Sequence, residues 1–216
     1  MRKKMRKMPS NTFLRLPLEK QDKLLTIARY EFTNFPYASV SLNQIIKKAG
    51  ISRGSFYMYF EGKEDLYFYL IDRYLLQGFS IMEEVLEEEK GDFFLASVSF
   101  FAKILDFCSL EENRAFIKQT IENTTFYEES SERKRHIVLH SFEQLEKLVC
   151  QEQFTPLGKK HFRTLAMQVF HLMMRNLFRV LHQNESNKIV LQEFKEQLLL
   201  LKNGVIRKDD VDAKAA

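Results

Sequence analysis

A chain of 216 residues, 45% hydrophobic and 29% charged, can bury a full core unaided, which excludes a disordered polyelectrolyte or a small cross-linked scaffold. Only 7 Gly and 4 Pro argue for helices over an all-β chain, and two cysteines at no motif-like spacing, Cys108 and Cys150, exclude a disulfide framework and suit reduced thiols. The net charge of +4 is uneven: residues 1–65 hold 13 Lys and Arg against 6 Asp and Glu, the remainder 20 against 23, so a polyanionic partner is expected at one end only.

The start, MRKKMRK, is basic but has no apolar h-region, so it does not read as a secretory signal. Residues 1–17 are expected to be a basic, disordered segment. Leu24, Ile27, Ala28, Phe32 and Phe35 then recur at helical spacing, which predicts a first helix over 18–35. Pro36 ends it, because a proline disfavours helical geometry in the residue before it. Ser41-Leu42-Asn43-Gln44 reads as a capping box, with the Ser41 hydroxyl accepting from the Gln44 amide and the Gln44 side chain reaching back. Leu42, Ile45, Ile46 and Ala49 make the apolar face of that second helix. Gly50, able to adopt a left-handed conformation, ends it. Ser52 caps a third helix running to about Phe60. After Glu61-Gly62 a fourth helix begins at Lys63, with Glu64 and Asp65 in its first turn where acidic groups suit the helix dipole. Further helices are expected over 92–108, 111–124, 130–150, 158–183 and 187–203. No stretch reaches the roughly 18 apolar residues needed to cross a bilayer, so no membrane role is expected and the cytoplasm is the expected location. The organisation is therefore all-α: a three-helix unit over 18–62, a larger helical part over 63–206, and a flexible tail over 207–216.

The run GISRGSFYMYF at 50–60 poses a problem, since one short helix cannot bury Tyr57, Met58 and Tyr59 together. At about 100° per residue, Phe56 and Phe60 share one face while Met58 points away from it, with Tyr57 and Tyr59 on opposite flanks. Phe56 and Phe60 are thus expected to anchor the helix and the other three to face a partner. Two short helices joined by a glycine-containing turn, with a supporting helix before them, form a helix-turn-helix whose second helix can enter the major groove. Arg53 can donate two bonds to a guanine edge, and a tyrosine hydroxyl can reach a phosphate. Gly54 and Ser55 keep the helix slim. The helix starts at Ser41 and Lys63 can each hold a phosphate, and Lys47 and Lys48 add charge.

The run LNQIIKKAGISRGSFYMYFEGKEDLYFYLI resembles the signature of the TetR family of bacterial transcription regulators. Ile45, Ala49-Gly50-Ile51-Ser52, Gly54, Phe56-Tyr57, Tyr59-Phe60, Lys63-Glu64 and Leu66 fall on that pattern. The match covers about residues 20–70. Ser41 stands where threonine is usual, Ile46 where alanine is frequent, and Pro36-Tyr37 in place of a glycine-containing link. The resemblance implies DNA contacts at Ser41, Asn43, Arg53, Gly54, Ser55, Tyr57, Tyr59 and Lys63, and a dimer on a roughly palindromic operator.

Symmetric half-sites require paired chains. Leu165, Val169, Leu172, Met173, Asn176, Leu177 and Val180 in 158–183, with Ile189, Val190, Phe194, Leu198 and Leu201 in 187–203, supply the expected homodimer stripe, an intermolecular four-helix bundle. The middle is dense in phenylalanine: Phe93, Phe94, Phe100, Phe101, Phe107, Phe116, Phe126 and Phe142. The resemblance implies an inducer pocket there for an unidentified small apolar or aromatic effector, although plain core explains each ring as well. His136 and His140 have a metal-sharing spacing, but Arg133, Lys134 and Arg135 would repel a cation, so no metal and no cofactor is expected. No nucleophile elbow, phosphate-cradling loop or paired-carboxylate motif occurs, so no enzyme is expected. The expected function is a ligand-responsive DNA-binding regulator, a repressor released by its effector. The alternative is an apolar-ligand carrier or helical partner-binding protein without operator binding.

Overall fold

The computed structural model describes residues 9–122 and 131–205, and of the side chains at 131–136 and 204–205 it describes none. The expected tail at 207–216, Phe126 and the His136 side chain therefore lie outside the described residues. Eleven α-helices form among the described residues: α1 (Asn11–Leu14), α2 (Leu18–Asn34), α3 (Leu42–Ala49), α4 (Arg53–Tyr59), α5 (Lys63–Glu88), α6 (Phe93–Phe107), α7 (Glu111–Glu122), α8 (Ser131–Leu148), α9 (Pro156–Lys160), α10 (Phe162–Gln183) and α11 (Asn187–Val205). They fold as two compact units, one of residues 1–77 and 111–135, the other of 78–110 and 136–216. This division differs from the 62/63 boundary expected from the sequence: the first half of α5 and all of α7 join the unit that holds α2, α3 and α4.

In the first unit Pro36 acts as expected, with Phe35 extended (φ −130°) and α2 stopping at Asn34. Gly50 closes α3 at φ +71°, and the amides of Gly50 and Ile51 bond back to Lys47 and Ile46. One apolar core joins Leu24, Leu25, Ala28 and Phe32 of α2 to Ile45, Ile46 and Ala49 of α3, Phe56 and Phe60 at α4, and Leu66, Tyr67 and Leu70 of α5. Burial pushes the Tyr37 hydroxyl in this core up to about 12. α7 packs back on α2: Arg29 Nη2 donates to Asn113 Oδ1 at 2.5 Å, and its guanidinium lies 5.5 Å from the Tyr74 and Phe116 ring centres.

Two expectations fail in this unit. Residues 9–17 are not a disordered lead-in: Ser10 caps a helical turn by accepting from the Phe13 amide, and Phe13 is fully buried against Phe60 with ring centres 4.9 Å apart. One well-placed aromatic outweighs the loss of chain entropy that basic composition suggested. The capping box at Ser41 is also absent. The Ser41 side chain makes no cap bond, and its carbonyl alone accepts from Gln44 and Ile45. Its hydroxyl is left exposed.

The second unit is built on aromatic packing. Asp92 caps α6, its Oδ1 accepting from Phe94 and Leu95 at 3.0 and 2.9 Å. Phe93, Phe94, Phe154 and Phe162 interlock, the Phe93 and Phe162 centres 5.1 Å apart, and Phe101 lies 4.6 Å from Phe194. These rings fill core. Phe79 and Phe142 also meet edge to face at 5.8 Å. The helix expected over 158–183 is two: Thr155 caps α9, and His161 (φ −113°, ψ 23°) breaks the chain before α10. Between α10 and α11, buried Asn176 donates to Gln197 Oε1 at 2.9 Å, and Arg179 pairs with Glu185 and Glu193, holding the Glu193 carboxyl below its usual range.

Gly91 is a forced choice. It sits at φ +78°, and a Cβ there would lie 2.7 Å from both the Cys150 amide nitrogen and the Leu148 carbonyl oxygen. Gly91→Ala is expected to cost about 1–3 kcal/mol from the backbone conformation alone, with backbone displacement added, and a lower urea midpoint would record it.

Most of the homodimer stripe expected on α10 and α11 faces inward, with Leu172 and Leu201 half-buried and Ile189 exposed. Leu165, Val169, Met173, Asn176, Leu177 and Val180, with Val190, Phe194 and Leu198, are buried within the chain. The apolar side chains left outside are Phe170 and Phe178 of α10 and Ile189, Leu199 and Leu200 of α11. Periodicity locates an apolar face but does not say which copy covers it.

Candidate nucleic-acid interface

α4 is held by its ends. Ser52 Oγ accepts from the Ser55 amide at 3.0 Å and shares a 2.8 Å bond with the Ser55 hydroxyl, so both serines serve the start of the helix. At the other end Phe56 and Phe60 are buried, 0% and 2% exposed, and fix which face turns outward.

That outward face carries Tyr57 (42% exposed) and Met58 (58%), as the helical wheel requires. Arg53 reaches across to α3, where Nη1 donates to Asn43 Oδ1 at 3.3 Å, while its guanidinium lies 5.7 Å from the Tyr57 ring centre. Asn43, Arg53 and Tyr57 thus form one exposed cluster spanning the two helices. The forked donor is loosely oriented by a ring and an amide, and can exchange that weak bond for a base edge or a phosphate.

Other residues expected at the interface are placed differently. Tyr59 is half-buried, with its ring packed 5.8 Å from Phe13, because the unforeseen turn at 10–14 covers that flank. Lys63 Nζ donates to the carbonyls of Tyr37 at 2.8 Å and Val40 at 3.0 Å and lies 4.5 Å from the Tyr37 ring centre. Burial pushes its pKa down. Its geometry ties the α2–α3 link to the start of α5. Lys48 is paired at 2.5 Å with the buried Glu31 carboxylate, which holds its ammonium above the usual range. Lys47 is exposed.

Gly54 faces solvent with only Ser52 Oγ, 3.8 Å away, near an added Cβ. The fold does not require glycine there. Gly54→Ala is expected to raise helix stability by about 0.5–1 kcal/mol while weakening duplex binding, because the methyl group keeps the helix from the groove floor. Thermal unfolding and a binding titration of the same variant check the two opposite signs together.

Phe13 and Ser10 are the residues that sequence reasoning missed. A signal was present: Ser10 three residues before an aromatic, followed by Leu14, Leu16 and Pro17, is a short capped turn with an apolar face.

Residues 24–70 match the family model for bacterial regulatory proteins of the tetR family, and residues 92–205 match that for the tetracyclin repressor-like C-terminal domain. An HTH-type transcriptional regulator of Staphylococcus aureus is 29% identical over 82 residues, 38% of this chain and 44% of that protein, so the match spans less than half of the relative's length. Among solved structures, a putative TetR-family regulator of Mesorhizobium loti is 14% identical, covering 92% of this chain and 100% of that one, with a TM-score of 0.59. NalD, the secondary repressor of the MexAB-OprM multidrug efflux pump in Pseudomonas aeruginosa, is 19% identical, covering 89% and 99%, also with a TM-score of 0.59. At such identities these two share the fold alone. No single helix among the described residues is long and apolar enough to cross a membrane. With the reader matched over 24–70 and more than half of the chain matched over 92–205, the protein belongs to the TetR family of transcription regulators, with an N-terminal DNA-binding helix-turn-helix.

Proposed function

We propose that this regulator is a homodimeric repressor whose two readers bind a roughly palindromic operator and are released by a small apolar or aromatic effector. The observation that carries the reading is the exposed Asn43–Arg53–Tyr57 cluster on a helix whose opposite face is fully buried. In this reading Arg53 and Asn43 address base edges, Tyr57 and Ser41 address phosphate, and Gly54 permits close approach. Ser55, Tyr59 and Lys63 act at the same interface by holding its frame, with little freedom left for new partners.

Pairing through α10 and α11 is supported by the exposure of Phe170, Phe178, Leu199 and Leu200 on these two helices. Effector release is supported by α7: Arg29 ties it to the reader, while in sequence it directly follows α6 of the second unit. A ligand can act only through its differential affinity for the non-binding arrangement. A cytoplasmic location follows from the DNA partner.

The test is selection of bound genomic fragments with the full chain, followed by titration of the recovered duplex at several salt concentrations. A shared inverted repeat, bound with affinity falling steeply as salt rises, is expected. Recovery of no common sequence, with ligand binding intact, would favour the carrier alternative.

A further inference from the structure

We propose that Met58 reads the C5-methyl group of a thymine in each half-site, as a specificity-determining residue of α4 beyond the Asn43–Arg53–Tyr57 cluster. This rests on the DNA reading above and adds one apolar contact to it. Of the large apolar side chains on α3 and α4, Leu42, Ile45, Ile46, Phe56 and Tyr59 are buried or half-buried, and only Tyr57 and Met58 stay exposed. Tyr57 carries a hydroxyl for a polar partner and lies beside the Arg53 guanidinium. Met58 has only a thioether, a weak acceptor, so its exposure is explained by no polar role.

The stripe around Met58 has little hydrogen-bonding capacity of its own. Gly54 lies four residues before it and Ser55 three, so all three share one side of the helix. Gly54 offers no side chain, and the Ser55 hydroxyl is taken by Ser52 Oγ at 2.8 Å. Long side chains on a helix lean back toward its start, which gives Met58 the open space above Gly54, where an added Cβ would meet only Ser52 Oγ at 3.8 Å. In the major groove every base edge presents donors or acceptors, and the thymine methyl is the one apolar group. A methionine flanked by bare backbone and a spent hydroxyl suits that group, because any other edge would lose water without gaining a partner.

The backbone that carries Met58 is fixed from behind. Ser10 Oγ donates to the Met58 carbonyl at 2.5 Å, and the Ser10 amide to the Tyr59 carbonyl at 3.1 Å. Carbonyls in the last turn of a helix lack intrahelical donors and form the negative end of its dipole, which would repel a nearby phosphate. The two bonds offset that charge, and buried Phe13 and Phe60, with ring centres 4.9 Å apart, hold the fastening in place. Met58 thus joins a fixed Cα to an unbranched, polarizable side chain that adapts to a methyl group.

The probe is a duplex selected from a random-sequence library by the full chain, remade with deoxyuridine in place of one thymine at a time. Deoxyuridine keeps O4 and the base pairing and lacks only the methyl group. One symmetry-related thymine is expected to respond, with affinity falling about fourfold when a single half-site is changed and about fifteenfold when both are, the loss for one buried methyl group. Met58→Ala should bind the thymine duplex at least that much more weakly and lose nothing further with deoxyuridine, while Met58→Leu should keep the response. Because Met58 is exposed, neither substitution is expected to unfold the reader. A parent indifferent to every deoxyuridine, or a Met58→Ala variant that keeps the parent's response, would overturn the proposal and leave the helix-turn-helix reading intact. A parent that recovers no common sequence would overturn both.

Discussion

Phe13→Ala is expected to destabilise the first unit by about 3–5 kcal/mol, the usual range for emptying a fully buried phenylalanine site. Three rings line that site, with centres at 4.9 Å for Phe60 and 5.8 Å for Tyr59 and Tyr69, and none can swing in to fill it without leaving its own contacts. α1 is a single turn joined to the rest by few bonds, so the mutant can escape the cavity by releasing residues 9–16. That exchanges cavity energy for exposed Phe60 and Tyr69 surface and sets the result toward the lower end of the range. Hydrogen exchange is the suitable readout because it resolves each unit separately, whereas a single unfolding midpoint blends them. Amides of α4 should lose protection, since Ser10 no longer holds the Met58 and Tyr59 carbonyls. Phe13→Leu should recover much of the loss. A change below about 1 kcal/mol, with α4 protection intact, would show that α1 does not secure the recognition helix.

What could be read in the linear sequence was whatever depends on residues close together along the chain. Pro36 stopping α2, Gly50 turning out of α3, Ser52 capping α4 and the inward Phe56 and Phe60 all follow from steric limits and periodicity within one element. The failures share a different cause. Phe13 and Tyr59 are 46 residues apart in number and touch only after folding, so neither the order of the start nor the half-burial of Tyr59 could be seen locally. The Lys63 bonds to Tyr37 and Val40 and the Lys48 bond to Glu31 are likewise tertiary, and no local pattern announces them. On α10 the broadest apolar stripe suggests a partner copy, yet the wider stripe is the one a monomer buries first. Phe170 and Phe178 are what remains exposed on α10.

Arg53→Ala should weaken operator binding by about 1–3 kcal/mol, roughly 5- to 150-fold, with the loss confined to duplexes carrying the preferred base at one position in each half-site. The fold should be unaffected, because Arg53 is exposed and its protein contacts are one 3.3 Å bond to Asn43 and a loose approach to Tyr57. Those contacts bias the free side chain across α3 and α4 before binding, so less side-chain entropy is lost when it exchanges them for a base edge. Arg53→Lys separates the two possible roles, since lysine keeps the charge but cannot form the paired bonds. If Arg53 reads a guanine, lysine should behave nearly as badly as alanine on the preferred duplex, and both should bind all bases alike there. If it only neutralises a phosphate, lysine should restore affinity, alanine should weaken every duplex equally, and the salt slope should fall by about 0.9. Binding profiles over the four base substitutions at each half-site position decide between these patterns. A parent profile that neither substitution alters would remove base reading from Arg53 and leave the specificity of the reader to Asn43 and Met58.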